Sequence, residues 1–491
     1  MIDLVCVFCE LDLFRPSGGT REHLEKEEFF LEDTKNTPPQ EGRAWRRYAG
    51  DPRENALPRE LGAFLSVCKT EREAARFLEA ALKDAGSSSV EQGKTLRPGD
   101  LVHLVWKNRA VAAARIGTTP LAQGFRLVGA HIDAPRVDVK PHPLYEDCGL
   151  AMIDGHYYGG VKKYQWTNVP LALHGEIHLA GGVAKTVVVG EDPSDPVLVI
   201  PDLAPHLDRE TDKRTAKETI LGENLDAIGA SRPSSGEEKN AVLAALKSYL
   251  HDVWGVEEED LVAADLALVP AGPAREVGFD RGLLGAYGID DRACSFLAFR
   301  ALLDLPTPEF TAVFLAVDKE EIGSEGVASA QGALLESFLL ELLESTGGDT
   351  SPRGLRRCFA RSEALSADVT EAANPLYKDA FDPHQLPVAG NGVTLMKYTG
   401  SGGKNSSSEA PGEFVARVLE RFRKDRVPWQ PGSLGKVDKG GGGTIAMFLA
   451  RLGMDVVDVG PAVLSLHSPC EMLSKADVLS TCDAYRAFWI Q

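Results

Sequence analysis

Nowhere in the 491 residues does an apolar run reach the roughly 18 residues that a membrane-spanning helix needs. The opening stretch, MIDLVCVFCELDLF, is apolar but has no basic start and carries Asp3, Glu10 and Asp12. It is therefore not expected to act as a secretory signal. Basic residues are outnumbered: 53 Lys and Arg face 72 Asp and Glu, a formal charge of −19. Phosphate binding rests on clustered Lys and Arg, so nucleic acid and anionic membrane are not expected partners. A cytoplasmic location is the expectation that follows. A disulfide framework is missing too. The eight cysteines (6, 9, 68, 148, 294, 358, 470 and 482) are scattered, and read as small buried apolar groups in a reducing compartment. Cys6 and Cys9 form a lone C-x-x-C with no second pair and no His cluster beside it. No internal repeat is visible.

What is present is ordinary for a globular enzyme, with 43% hydrophobic and 25% charged residues. The length suffices for two domains with separate cores. The first ~55 residues are polar and proline-bearing and are expected to be irregular. Thr70-Glu71-Arg72-Glu73 has capping-box spacing ahead of Phe77, Leu78, Ala81 and Leu82, with Gly86 as the stop. Leu101–Trp106 and Ala110–Ile116 read as a hairpin around Lys107-Asn108-Arg109. Strands are expected over Phe125–Ala130 and Phe310–Val317, before Asp368, and near Val456–Val459. Helices fall between them: one after Asp291, one carrying Phe414, Val418 and Phe422, and one starting near Ser474 with Asp477 as its box partner. This alternation predicts an α/β sheet covered on both faces. The stretch 141–277 reads differently, with β-rich pieces at Val187–Val189 and Val197–Ile200 and one amphipathic helix through Val242, Leu246, Tyr249 and Leu250. It reads as a second domain, inserted between catalytic segments 1–140 and 278–491.

Polar residues gather just beyond the expected strands, where open α/β sheets bind ligands. Five segments supply them: Gly129-Ala130-His131-Ile132-Asp133, Ile289-Asp290-Asp291-Arg292, Asp318 to Gly323, Ser366-Ala367-Asp368, and Ser465-Leu466-His467-Ser468. Two imidazoles and several carboxylates form a set suited to zinc or a similar divalent ion. In His131-x-Asp133 the carboxylate can accept the other ring N–H and fix the tautomer. Asp290-Asp291 equally suits an N-cap, and Glu320-Glu321 a solvated loop. Gly440–Gly443 lacks the Gly-Lys-Ser/Thr of a phosphate loop and reads as a close backbone approach or a flexible turn, with Gly442 as a candidate substrate contact. Lys397, in KYTGSGGK (397–404), is a candidate for binding a substrate carboxylate or lies in a plain surface loop. The residues alone read as a metallohydrolase.

The ordered series GAHIDAP, IDDR, DKEEIGS, SADVTEAANP and LHSPCEM resembles the M18 family of metalloaminopeptidases, the aspartyl aminopeptidase family. YGGVKKYQWTNVPLALHG (158–175), IPDLAPHLDR (200–209) and GGGGTIAMFLA extend the likeness from about residue 57 onward. The resemblance implies a mixed-sheet α/β zinc-peptidase catalytic domain, phosphorylase/hydrolase-like, interrupted by a smaller β-rich dimerisation domain. It implies two divalent ions per subunit, zinc first, with cobalt or manganese as alternatives. Asp290 would bridge them, with His131, Asp368, Glu321 and His467 as the other ligands. Glu320 would be the general base, and Asp133 would orient the histidine. Peptides with a free N-terminus would be the substrates, and a dodecamer built from dimers the assembly. Glu371 stands where the eukaryotic form of the family has His, and KYTGSGGK also departs from it, as in a bacterial subgroup. Related chemistries that fit the same residues are a two-metal carboxypeptidase and an N-acyl deacylase. A catalytically idle shell or peptide-binding protein is the reading from another class.

Overall fold

The computed structural model describes residues 42–90, 93–236 and 239–490. Cys6, Cys9 and most of the N-terminal stretch lie outside them. Where that stretch is described, its expected irregularity gives way to helices Arg43–Tyr48 and Arg53–Val67. Their Ala44, Tyr48, Leu61 and Phe64 are buried, so tertiary packing overrides a polar, proline-bearing sequence.

Nine strands form the main sheet, in the order Ser88–Ser89, Leu101–Trp106, Ala110–Arg115, Thr311–Val317, Phe125–His131, Glu363–Ser366, Asp455–Gly460, Val393–Met396, Trp429–Pro431. The four from Thr311–Val317 to Asp455–Gly460 run parallel, so their carboxyl ends share one edge. Register brings Val317 opposite His131, and Gly129 opposite Ser366. Alternate side chains enter different cores. Ala312, Phe314 and Ala316 pack with the helices Ile289–Leu303 and Lys475–Ile490. Val313, Leu315 and Val317 pack with Leu334–Ser345 and Pro352–Phe359. The sheet is thus covered on both faces, as its unbroken apolar strand sequences require.

A second sheet of six antiparallel strands uses residues between Arg136 and Pro270. It has its own core, around Trp166, Leu171 and Leu268, closed by helix Ala241–Tyr249. Val197–Ile200 is not a strand: it makes an isolated bridge from Leu198 to Leu171. A five-stranded sheet links Arg275–Val277, Leu283–Ala286, Glu471–Ser474, Ala462–Leu464 and Thr370–Glu371.

Local signals fare unevenly. The Thr70 box forms as spaced, Thr70 Oγ1 accepting from the Glu73 amide. Asp477 does not close a box with Ser474. Its carboxylate accepts from the amides of Gly390 at 2.6 Å and Gly392 at 2.7 Å, holding a distant turn instead. Cys68, Cys294, Cys358 and Cys482 are buried as expected, whereas Cys148 and Cys470 are exposed.

Candidate metal centre

Three of the parallel strands deliver segments of the site to one rim. His131 ends its strand, buried between neighbours on both sides. Its Nδ1 faces the Asp133 carbonyl at 3.1 Å and Asp133 Oδ1 at 3.3 Å. Both are acceptors, so Nδ1 carries a proton. Burial opposes a second one, but the hydrogen bonds to Asp133 and Asp290 more than offset this, so Nε2 offers its lone pair only to a cation that displaces its proton. Nε2 lies 3.1 Å from Asp290 Oδ1. Asp290 and Asp291 have non-helical backbone angles at the entry to helix Ile289–Leu303. Among the described residues the fully buried Asp291 carboxylate accepts no backbone amide, so the N-cap alternative does not describe it.

Beyond Thr311–Val317 the chain turns through Lys319, at φ 72°, into the 3-10 turn Glu320–Ile322, with Gly323 at φ 95°. The turn lets two adjacent glutamates face one basin, which neighbouring strand residues cannot do. Asp133 fixes it: its Oδ1 accepts from the Glu320 amide at 3.2 Å and its Oδ2 from the Glu321 amide at 3.3 Å. Tyr158 also donates to Asp133 Oδ2, at 2.6 Å. Asp368 follows strand Glu363–Ser366 by two residues and is buried. His467 sits in the hairpin joining Ala462–Leu464 to Glu471–Ser474, at φ 61°. Its Nδ1 donates to the Gly160 carbonyl at 2.8 Å, and its Nε2 faces Asp290 Oδ2 at 3.3 Å and Glu321 Oε1 at 3.5 Å.

Two groups of ligand atoms result, each within 4.8 Å across: His131, Asp290 and Asp368, and Asp290, Glu321 and His467. Asp290 belongs to both. The residues fit divalent ions on grounds of their own. Both imidazoles turn Nε2 inward, and the buried Glu321 Oε1 has no hydrogen-bond partner among the described residues. Burial, with Asp290 and other carboxylates nearby, pushes the Glu321 and Asp368 carboxyls well above their usual range. Burial likewise raises Glu320 to about 7, against the pull of His131. Burial pulls His467 down, but its hydrogen bond to Asp290 and the Glu321 charge more than offset this and carry it up to about 10. Acids this close share protons with the histidines until cations replace those protons.

The residues open onto a cavity of about 550 Å³. Gly442 lines it, with its carbonyl held by the Gly400 amide at 2.7 Å. Lys397 does not line it. It is exposed beyond the end of strand Val393–Met396, while Met396 and Thr399 on either side face the cavity. Met447, Phe448, Leu434 and Leu466 make the apolar part of the wall.

For some contributors the chain gave no signal of what they hold. Glu471, buried, accepts from the amides of Asp290 at 3.1 Å and His467 at 2.7 Å. Burial raises it to about 8. Glu371 accepts from the Ser465 and Leu466 amides, at 3.1 and 3.2 Å, and so holds the loop that carries His467. Tyr158 ends a strand of the six-stranded sheet, and Gly160 lies two residues beyond it. All four stand within motifs quoted above, but only their contacts reveal what they hold.

A family model described as aminopeptidase I zinc metalloprotease (M18) matches residues 64–489. A probable M18 family aminopeptidase 1 of Thermotoga maritima is 44% identical over 432 residues, covering 88% of this chain and 95% of the relative. A namesake from Clostridium acetobutylicum is 42% identical over 438 residues, covering 88% and 94%. The crystal structure of an M18 aminopeptidase from T. maritima matches with a TM-score of 0.88 at 43% identity, over 91% of this chain and 98% of that one. An S. cerevisiae mApe1 dodecamer structure, at 24% identity and a TM-score of 0.69 over 89% and 96%, shares the fold.

Proposed function

The chain belongs to the M18 family of zinc metalloaminopeptidases, and from that premise we propose a two-ion mechanism for removing N-terminal residues from peptides. The observation that carries it is Asp290, shared by the groups His131–Asp290–Asp368 and Asp290–Glu321–His467. Divalent ions bound there, zinc first and cobalt or manganese as alternatives, would supply Lewis-acid polarisation and lower the pKa of water.

The chain's own residues do the rest. Glu320, with its carboxylate 4.0 Å from His131 Nε2, is the general base. It takes a proton from the attacking water and returns it to the departing amine. Asp133 keeps Glu320 and Glu321 facing the basin and His131 in its Nδ1–H form. A free, neutral α-amino group, which an internal or acylated peptide does not offer, would be taken up at one of the bound ions. Gly442 contributes backbone contact along the wall. No Lys or Arg is among the described residues lining the cavity, which disfavours capture of a C-terminal carboxylate and hence the carboxypeptidase reading.

By analogy with the mApe1 dodecamer, the assembly is a homo-oligomer, a dodecamer built from dimers, with 141–277 as the dimerisation domain between segments 1–140 and 278–491. Among the described residues no helix is long and apolar enough to cross a membrane, and a cytoplasmic location is part of the same reading.

Metal-stripped protein assayed on aminoacyl substrates and their N-acetylated counterparts, with zinc, cobalt or manganese restored, tests the reaction. Metal-dependent release confined to free N-termini is expected. Turnover confined to acetylated or C-terminal substrates would move the reading to the deacylase or carboxypeptidase.

A further inference from the structure

All the ligand candidates belong to the nine-stranded sheet, the five-stranded sheet and the connections around them. The six-stranded sheet nevertheless reaches the site. Its strand Leu150–Tyr158 runs out into Gly159 and Gly160, and these three consecutive residues each meet a different part of the centre. Tyr158 donates to Asp133, the carboxylate that holds the Glu320 and Glu321 amides. Gly159, at φ 72°, passes so close to Glu321 that a Cβ there would lie 3.2 Å from Oε2. Gly160 receives the His467 Nδ1 proton on its carbonyl, and a Cβ on it would lie 3.2 Å from that nitrogen.

We propose that Tyr158-Gly159-Gly160 is a positioning strap for the ion group formed by Asp290, Glu321 and His467, and so couples the six-stranded sheet to catalysis. The proposal rests on the two-ion reading. His467 needs such a support. Its hairpin holds the backbone in a left-handed conformation through carboxylates, but its ring is 35% exposed and takes its tautomer from the Gly160 carbonyl. Without that acceptor the proton can sit on either nitrogen, and the ring can turn Nε2 away from Asp290 and Glu321. The strap must also be bare. A Cβ at 159 or 160 would press on the ligand it adjoins, which would have to give way by a few tenths of an ångström. His131 makes no contact with Gly160 among the described hydrogen bonds. Damage at Gly160 should therefore fall on one group alone.

The test is calorimetric zinc titration of the metal-free, full-length protein in wild-type, Gly160→Ala and Tyr158→Phe forms, with thermal denaturation of each metal-free form alongside. Wild type should take up two zinc ions. Gly160→Ala should weaken one of them about 10–100-fold, as loss of an outer support does, and leave the other within about twofold. Gly160 is exposed, so the metal-free melting midpoint should not move. Tyr158→Phe keeps the ring and loses the donor. It should lower kcat by about tenfold with KM within about twofold, the signature of a displaced Glu320 rather than of weakened substrate binding.

A Gly160→Ala isotherm that overlays wild type overturns the strap. So does equal weakening of both ions together with a lowered melting midpoint. A wild type that binds one ion overturns the two-ion reading instead, and the strap then stands or falls on whether Gly160→Ala weakens that single site.

Discussion

Glu71 and Glu321 are both nearly inaccessible carboxylates in the same molecule, and their surroundings treat them in opposite ways. Glu71 opens the helix Glu71–Asp84 and lies between Arg136 at 2.8 Å and Arg109 at 3.0 Å. Around it, Arg136 pairs with Asp138, Arg109 and Arg72 share Asp265, and Arg76 pairs with Glu176. This seam joins the helix to strands of the six-stranded sheet. Burial opposes ionisation of Glu71, yet Arg136, Lys319 and Arg109 overcome it and hold its carboxyl down at about 2. Among the described residues Glu321, Asp368 and Glu320 have no guanidinium beside them, and burial sends all three upward. Asp318 is also raised to about 7, by burial and the nearby Glu71 and Asp133 charges, although Arg109 lies 3.6 Å away. Glu71 is neutralised by cations of the chain itself and serves the packing, whereas Glu321, Asp368 and Glu320 converge on one basin where added ions would do the neutralising.

The contrast can be broken from either side. Chelation should abolish turnover, and zinc restored at about a thousand times its dissociation constant should add roughly 4 kcal/mol of stability, read as a rise in melting temperature. The next largest effect should come from Glu320→Gln, which lowers kcat about 10²–10⁴-fold while zinc still binds with wild-type stoichiometry. Retention of near-wild-type turnover would remove Glu320 from the role of base.

Glu71→Gln leaves Arg136 buried against a neutral partner and should cost about 3–5 kcal/mol in urea unfolding, with zinc stoichiometry unchanged. An unchanged stability would mean that the seam contributes no more than a surface pair. The same pair sets an acid limit. A carboxyl depressed in the folded state stabilises it above the unfolded pKa of 4.5, and that contribution is lost as pH falls through about 2. The loss, on the order of 3 kcal/mol across that window, should be absent in Glu71→Gln. Smallest of all, Lys397→Ala should leave kcat/KM within about twofold, since the side chain lies outside the cavity. A tenfold loss would mean that the lysine reaches substrate after all.

Much of this was legible in the chain because it depends on neighbours close in sequence. The apolar runs at Phe125 and Thr311 read as strands, and the polar residues just beyond them read as a site. The Thr70 box formed because its partners are three residues apart. Asp477 was misread by the same rule. Its spacing from Ser474 suits a box, but two amides near residue 391 lie closer in space and take both of its oxygens. Helices 43–48 and 53–67 were missed because their stability comes from what they cover, not from their composition.

Periodicity and spacing alone thus determined an α/β sheet covered on both faces, a break in character over 141–277, and a supply of His, Asp and Glu at strand ends. These follow from side-chain alternation and hydrophobic burial, which any short window of chain expresses. The family resemblance of the motifs implied a shared role for Asp290; only the tertiary structure decided that Glu471 ties it to the His467 loop, and that a carbonyl 307 residues from His467 fixes its ring. Hydrogen bonds act over about 3 Å, and no spacing along a chain specifies which distant groups will come within that distance.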